Sequence, residues 1–110
     1  MPLSVFISRI GFTKVGDYWD KSISEIAFQA SKELLKEESS SPDAIIVANA
    51  LSELSSSQGN LAPVIAEALG LQGIAAYRVE AAGASGGSAI NLGAKLISGG
   101  DANSVLVLGC

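Results

Sequence analysis

Gly83-Ala84-Ser85-Gly86-Gly87 has the spacing of a nucleophile turn. It fits G-x-S-x-G, in which a serine on a sharp strand-to-helix turn presents its hydroxyl to an acyl carbon. Such a serine needs a base to take its proton, and the 110 residues contain no histidine. Ser85 as nucleophile therefore requires a base from outside this sequence. The alternative, Ser85 as the N-cap of a glycine-rich helix, requires only that its hydroxyl accept from a first-turn amide.

The other reactive side chains narrow the field. Cys110 is the single cysteine and the last residue, which excludes an internal disulfide and, with no histidine, leaves a metal site almost without ligands. It reads as a small core residue following a strand. Arg78 and Glu80 stand one strand pitch apart and can act as a pair, although that spacing first suggests a local ion pair. Gly83, Gly86 and Gly87 do not give G-x-G-x-x-G and no P-loop lysine follows, so the turn is not expected to hold a nucleotide.

The segments that must position these residues alternate between strands and helices. Leu3–Phe12 is rich in β-branched and aromatic residues and ends at glycines, which predicts a strand. Ser22-Ile23-Ser24-Glu25 is a capping box, and Ile23, Ile26, Ala27, Ala30 and Leu34 then follow helical spacing until Ser39-Ser40-Ser41-Pro42-Asp43 stops the helix. Ala44–Ala48 predicts a strand covered on both faces, and Asn49–Gly59 a polar, serine-rich connection. A second helix runs from an Asn60 cap through Leu69, with Pro63 in its first turn and Gly70 as its stop. Ile74–Ala82 predicts a third strand, Ser85–Ser98 a helix, and Ser104–Leu108 a fourth strand. The order β-α-β-α-β-α-β predicts an α/β fold with a mostly parallel sheet.

The helix Ser85–Ser98 is unusual. Gly86, Gly87, Ala89, Gly93 and Ala94 are small, while Ile90, Leu92, Leu96 and Ile97 spread around its circumference, so the sequence predicts burial on nearly all sides. A glycine inside a helix costs roughly 1 kcal/mol relative to alanine, and several together suggest close backbone approach by neighbours. Residues 60 to 110 carry only Glu67, Arg78, Glu80, Lys95 and Asp101 as ionised groups, few for a surface facing water all round. More protein than this chain is expected to cover that half.

Net charge is −4 and the sequence pI about 4.6, with no basic run, so nucleic acid is a poor partner. No leader pattern and no membrane-length apolar stretch is present, and a cytoplasmic protein is expected.

The stretch Val79-Glu80-Ala81-Ala82-Gly83-Ala84-Ser85-Gly86-Gly87-Ser88-Ala89, continuing through Ser98-Gly99-Gly100 and Ser104–Gly109, resembles the nucleophile region of thiolases of the sterol-carrier-protein and archaeal type. Ile10-Gly11-Phe12-Thr13-Lys14 with Trp19-Asp20-Lys21-Ser22, and Ser57-Gln58-Gly59-Asn60-Leu61-Ala62, are similar to earlier parts of that subgroup. The resemblance covers all 110 residues, as the N-terminal portion of a thiolase-like domain. It implies an acyltransferase of lipid metabolism acting on a coenzyme A thioester, with no permanently bound cofactor and no metal.

The resemblance also places the family's nucleophilic cysteine where Gly83 stands. At a helix N-terminus the free amides favour a thiolate, which can take an acyl group; glycine offers nothing to acylate. The family's histidine and second catalytic cysteine belong to its C-terminal half, and Cys110 does not match the latter. This chain alone is thus expected to be inactive, with a missing C-terminal half or a homodimer mate as partner. A cysteine-less acyl-CoA lyase of the aldolase kind, or a non-catalytic subunit, is the alternative within the family. Thiolase dimers pair the strand before the nucleophile, which implies Tyr77, Val79 and Gln58 at an interface.

Overall fold

Five apolar residues in a row, Ala44-Ile45-Ile46-Val47-Ala48, suit only a strand covered on both sides, and β1 (Ala44–Ala48) is buried at every position. It is the middle strand of a three-stranded parallel sheet in the order β2-β1-β3, with β2 at Ala75–Val79 and β3 at Val105–Gly109. In register, Ile46 lies between Tyr77 and Val107. This computed structural model describes residues 4–37 and 40–110.

The capping box forms as expected at α1 (Ile23–Glu37). The Ser22 N–H donates to Glu25 Oε2 at 2.6 Å and the Glu25 N–H to Ser22 Oγ at 3.2 Å, and these bonds hold the Glu25 carboxyl below its usual range. The connection after β1 contains one turn of helix, α2 (Ser52–Ser55), and Ser52 is fully buried. α3 (Leu61–Ala68) buries Leu61, Ala62, Ile65 and Ala66, and Gly70 ends it at φ +74°, a left-handed stop that glycine adopts without cost. Asn60 does not cap it: at φ 52° its side chain makes no bond to the first turn.

Two cores follow from the period-2 alternation of β1. Ile45 and Val47 pack with Leu108, with Ala27 of α1 and with Leu61, Ala62, Ile65 and Ala66 of α3. Ile46 and Ala48 face Ala89 of α4 (Ser85–Ser98), with Val79, Val105 and Val107 beside them. The result is an α/β sandwich, α1 and α3 on one face and α4 on the other, as the sequence led us to expect of the class.

One strand expectation is corrected. No strand forms within Leu3–Phe12: Leu3 lies outside the described residues, and 4–12 belong to no sheet. Gly11 instead packs on α1 so closely that a Cβ would collide with the Ala30 carbonyl oxygen, while Phe6, Ile7, Ile10 and Phe12 stay exposed. The order is therefore α-β-α-α-β-α-β. Within this chain α4 is covered only on the side that meets the sheet. Ser85, Ala89 and Gly93 are buried, but Gly86, Gly87, Ile90 and Asn91 are exposed, because α4 is alone on its face of the sheet. Among the described residues no helix is long and apolar enough to cross a membrane.

Candidate functional site

β2 ends at Val79, and α4 begins at Ser85, so the backbone must reverse sharply between them. The reversal is concentrated at Ala82, which takes φ +47°, a left-handed conformation that costs a non-glycine residue of order 1–3 kcal/mol and persists only when its surroundings enforce it. A 3-10 turn at Ala82–Ala84 follows, closed by the Ala84 N–H on the Ala81 carbonyl at 2.8 Å.

Ser85 enforces this turn. Its Oγ donates to the Ala82 carbonyl at 2.7 Å and accepts from the Ala81 N–H at 2.9 Å, and the residue is 7% exposed. A hydroxyl committed in both directions and facing the turn's interior is not presented to a substrate. These two bonds speak against Ser85 as a nucleophile, and the simple N-cap reading is corrected: α4 has no side-chain cap, and Ser85 is its first residue rather than the residue before it.

Gly83 stands at the tip of the turn, exposed. A Cβ built on it meets no atom within 4 Å, and its φ is not in the left-handed range, so neither space nor backbone demands glycine there. Around it the charge is sparse. Glu80 Oε1 accepts from the Ala82 N–H at 3.4 Å, and the first turn of α4 carries no acidic residue. An anion arising at position 83 would meet the amino end of α4, where the helix dipole favours negative charge even though the Ala84 and Ser85 N–H groups are bonded to the Ala81 and Ala82 carbonyls.

Arg78 and Glu80 are not paired with each other. Arg78 forms its ion pair with Glu53 of α2, and its Nε donates to the Asn49 carbonyl at 3.2 Å, because residue 78 points to the α3 face of the sheet and the serine-rich connection lies there. A hydrogen bond from the backbone at Glu53, and after it the Arg78 guanidinium, hold the Glu53 carboxyl below its usual range. Tyr77 and Val79 lie together on the α4 face of β2, with Val79 packed into that core and Tyr77 41% exposed. Gln58 is not with them. It lines a cavity of about 600 Å³ between residues 16–26 and 55–61 on the opposite side, together with Trp19, Ile23 and Leu61, and no residue of the Ala81–Ser85 turn borders that cavity.

Cys110 follows β3, exposed rather than in the core of this chain, and its N–H donates to the Ala48 carbonyl at 3.2 Å; the partial desolvation of its thiol pushes it up to about 11, away from nucleophilic character at neutral pH. Among the described residues no cluster of acidic or sulfur ligands could hold a metal ion.

Sequence reasoning missed Asn49. It follows the buried strand β1, and its side chain donates to the Cys110 carbonyl at 2.5 Å while accepting from the N–H groups of Leu51 and Ser52 at 3.1 and 2.7 Å. The signal available was an asparagine placed at the end of a covered strand and shortly before a serine, a position that favours a side-chain turn.

With the geometry in place, comparison with known proteins adds two findings. The family description "Thiolase, N-terminal domain" matches residues 5–110. An acetyl-CoA acetyltransferase of Methanothermobacter thermautotrophicus is 32% identical over 108 residues, which cover 96% of this chain and 28% of that protein.

Proposed function

The chain belongs to the thiolase family by its N-terminal domain, and from that premise we propose that it is the turn-bearing portion of a protein that handles acyl-coenzyme A and that it performs no acyl transfer alone. The observation carrying the reading is Gly83: the tip of the turn, where the family resemblance puts the acylated cysteine, has no side chain to acylate. The chain spans 28% of the length of the archaeal acetyl-CoA acetyltransferase, whose activity suggests the substrate class, a coenzyme A thioester. In this proposal residues 1–110 are the first part of one domain. Acid–base groups come from the remainder of such a protein, and a second copy pairs along β2.

One observation favours the second reading, a cysteine-free lyase or non-catalytic subunit. Ala82 keeps its left-handed turn and Ser85 keeps both bonds, although there is no nucleophile for the turn to present. Within that turn the N–H groups of Ala81, Ala82, Ala84 and Ser85 are already bonded, which leaves the Gly83 N–H to meet the carbonyl oxygen of a bound thioester.

Acetyl-CoA incubated with the chain, followed by intact-mass and peptide analysis, is the test. No acyl adduct at residues 81–85 is expected. An adduct on Ser85 would overturn the proposal in favour of serine chemistry.

A further inference from the structure

In an open parallel α/β sheet, ligands bind at the carboxyl ends of the strands, in the crevice where the strand order reverses. Here the chain leaves β1 for β2 on one side of it, through α2 and α3 on one face, and then crosses back through α4 on the other face to β3 on the far side. The order therefore reverses between β1 and β3, and the crevice opens at their carboxyl ends. Asn49 is the first residue beyond β1, at that point.

All four polar functions of Asn49 are engaged, the backbone pair to β2 and the side-chain pair to α2 and to the end of β3. Its N–H donates to the Val79 carbonyl at 3.2 Å, holding the end of β2 just before the Gly83 turn. Its carbonyl accepts from Arg78 Nε at 3.2 Å. Its Oδ1 accepts from Leu51 and Ser52, fixing α2, and its Nδ2 reaches across the crevice to the Cys110 carbonyl at 2.5 Å. Glu53 of α2 then returns to Arg78, closing a loop of contacts from β1 through α2 to β2. An asparagine is suited to this: its amide donates on one side and accepts on the other, which neither aspartate nor alanine reproduces.

We propose that Asn49 is the positioning residue of this site, spanning the crevice and holding the serine-rich connection and the end of β3 at fixed height beside the Gly83 turn. It touches no reacting atom. The inference rests on the reading above that this is the acyl-coenzyme A-handling turn of the family, with the amino end of α4 favouring an anion at position 83. The side chain acts on the turn through α2: it holds the Leu51 and Ser52 amides, Glu53 of α2 holds Arg78 of β2, and β2 leads into the turn.

A thiol introduced at position 83 reports that setting. Gly83→Cys is sterically free. Alkylation of this variant by iodoacetamide across a pH series from neutral to strongly alkaline, mapped by peptide mass so that the introduced thiol and Cys110 are read separately, gives a pH profile for each. The midpoint for the introduced thiol is expected below that of an ordinary cysteine. Asn49→Ala in the Gly83→Cys background should lower the alkylation rate at position 83 about 5- to 10-fold at neutral pH while the alkaline plateau stays unchanged, as a shift in thiolate population requires. Asn49→Asp keeps the acceptor for Leu51 and Ser52 but loses the donor to Cys110. It should retain slow hydrogen exchange at those two amides, which Asn49→Ala loses, while also shifting the profile at position 83. An ordinary profile for the introduced thiol with Asn49 intact overturns the acyl-site reading, and this inference with it. A lowered profile that neither Asn49 variant moves overturns the inference alone, and circular dichroism matching the parent shows that a shift is not unfolding.

Discussion

The hydroxyl of Ser85 closes on the carbonyl of Ala82 at 2.7 Å, so the residue that starts α4 is also the residue that locks the left-handed turn before it. The same oxygen takes the Ala81 N–H, and Ser85→Ala removes both bonds at a nearly buried position. At about 1 kcal/mol for each, the loss should be about 2 kcal/mol in urea unfolding. Ala82→Gly should do the reverse, adding up to about 1 kcal/mol, because glycine adopts the left-handed turn without the Cβ penalty. A Ser85→Ala variant as stable as the parent would show that the turn is held by something else.

Glycines along α4 should separate into two kinds. A Cβ at Gly87 meets nothing within 4 Å, so Gly87→Ala should raise stability by up to about 1 kcal/mol through helix propensity. At Gly93 the Cβ would lie 3.3 Å from Val107 Cγ2 and 3.5 Å from Val105 Cγ1. A larger side chain there drives α4 off β3, and Gly93→Val should cost about 1–3 kcal/mol. Thermal melts of the two variants should move in opposite directions; equal shifts would refute the packing of α4 on β3.

This contrast also marks the limit of what the sequence discloses. Ala44–Ala48 and Ser22–Glu25 were legible because one encodes burial on both faces and the other a pair of bonds within a single helical turn. The glycine position at the turn was legible only through family resemblance. Leu3–Phe12 misled because a strand is defined by its neighbour, and in this chain residues 4–12 lie against α1 at Gly11 rather than in the sheet. Composition likewise signalled that α4 is covered, without saying which of its faces this chain covers. Asn49 was illegible as a bridge because its partner Cys110 is 61 residues away.

Cys110 should make stability depend on pH at the alkaline end. Partial desolvation raises its thiol from 9.0 to about 11, so the folded state favours the protonated form. That contribution is fully present below the unfolded value of 9.0 and is lost as pH rises through about 11, because the unfolded chain releases the proton first. Cys110→Ser should flatten the fall in unfolding midpoint across that window. An unchanged fall would assign it to other groups.

Association should run through the outer edge of β2. That strand pairs only with β1, and its other edge leaves backbone N–H and C=O groups without a strand among the described residues, a template for a second chain. Tyr77 stands on it 41% exposed, whereas Val79 is packed with Ala48 and Ala89. The two residues must therefore answer differently to a charge. Tyr77→Lys should leave the fold intact and weaken self-association, since a lysine on an edge strand opposes pairing and nothing in the core depends on the ring. Val79→Lys should unfold the chain, since it puts an ammonium into the core between β1 and α4. Sedimentation velocity across a micromolar concentration series reads the first, and circular dichroism the second. A parent that sediments as a monomer at every concentration would refute pairing through β2. A Val79→Lys variant that stays folded would refute the packing that separates the two residues.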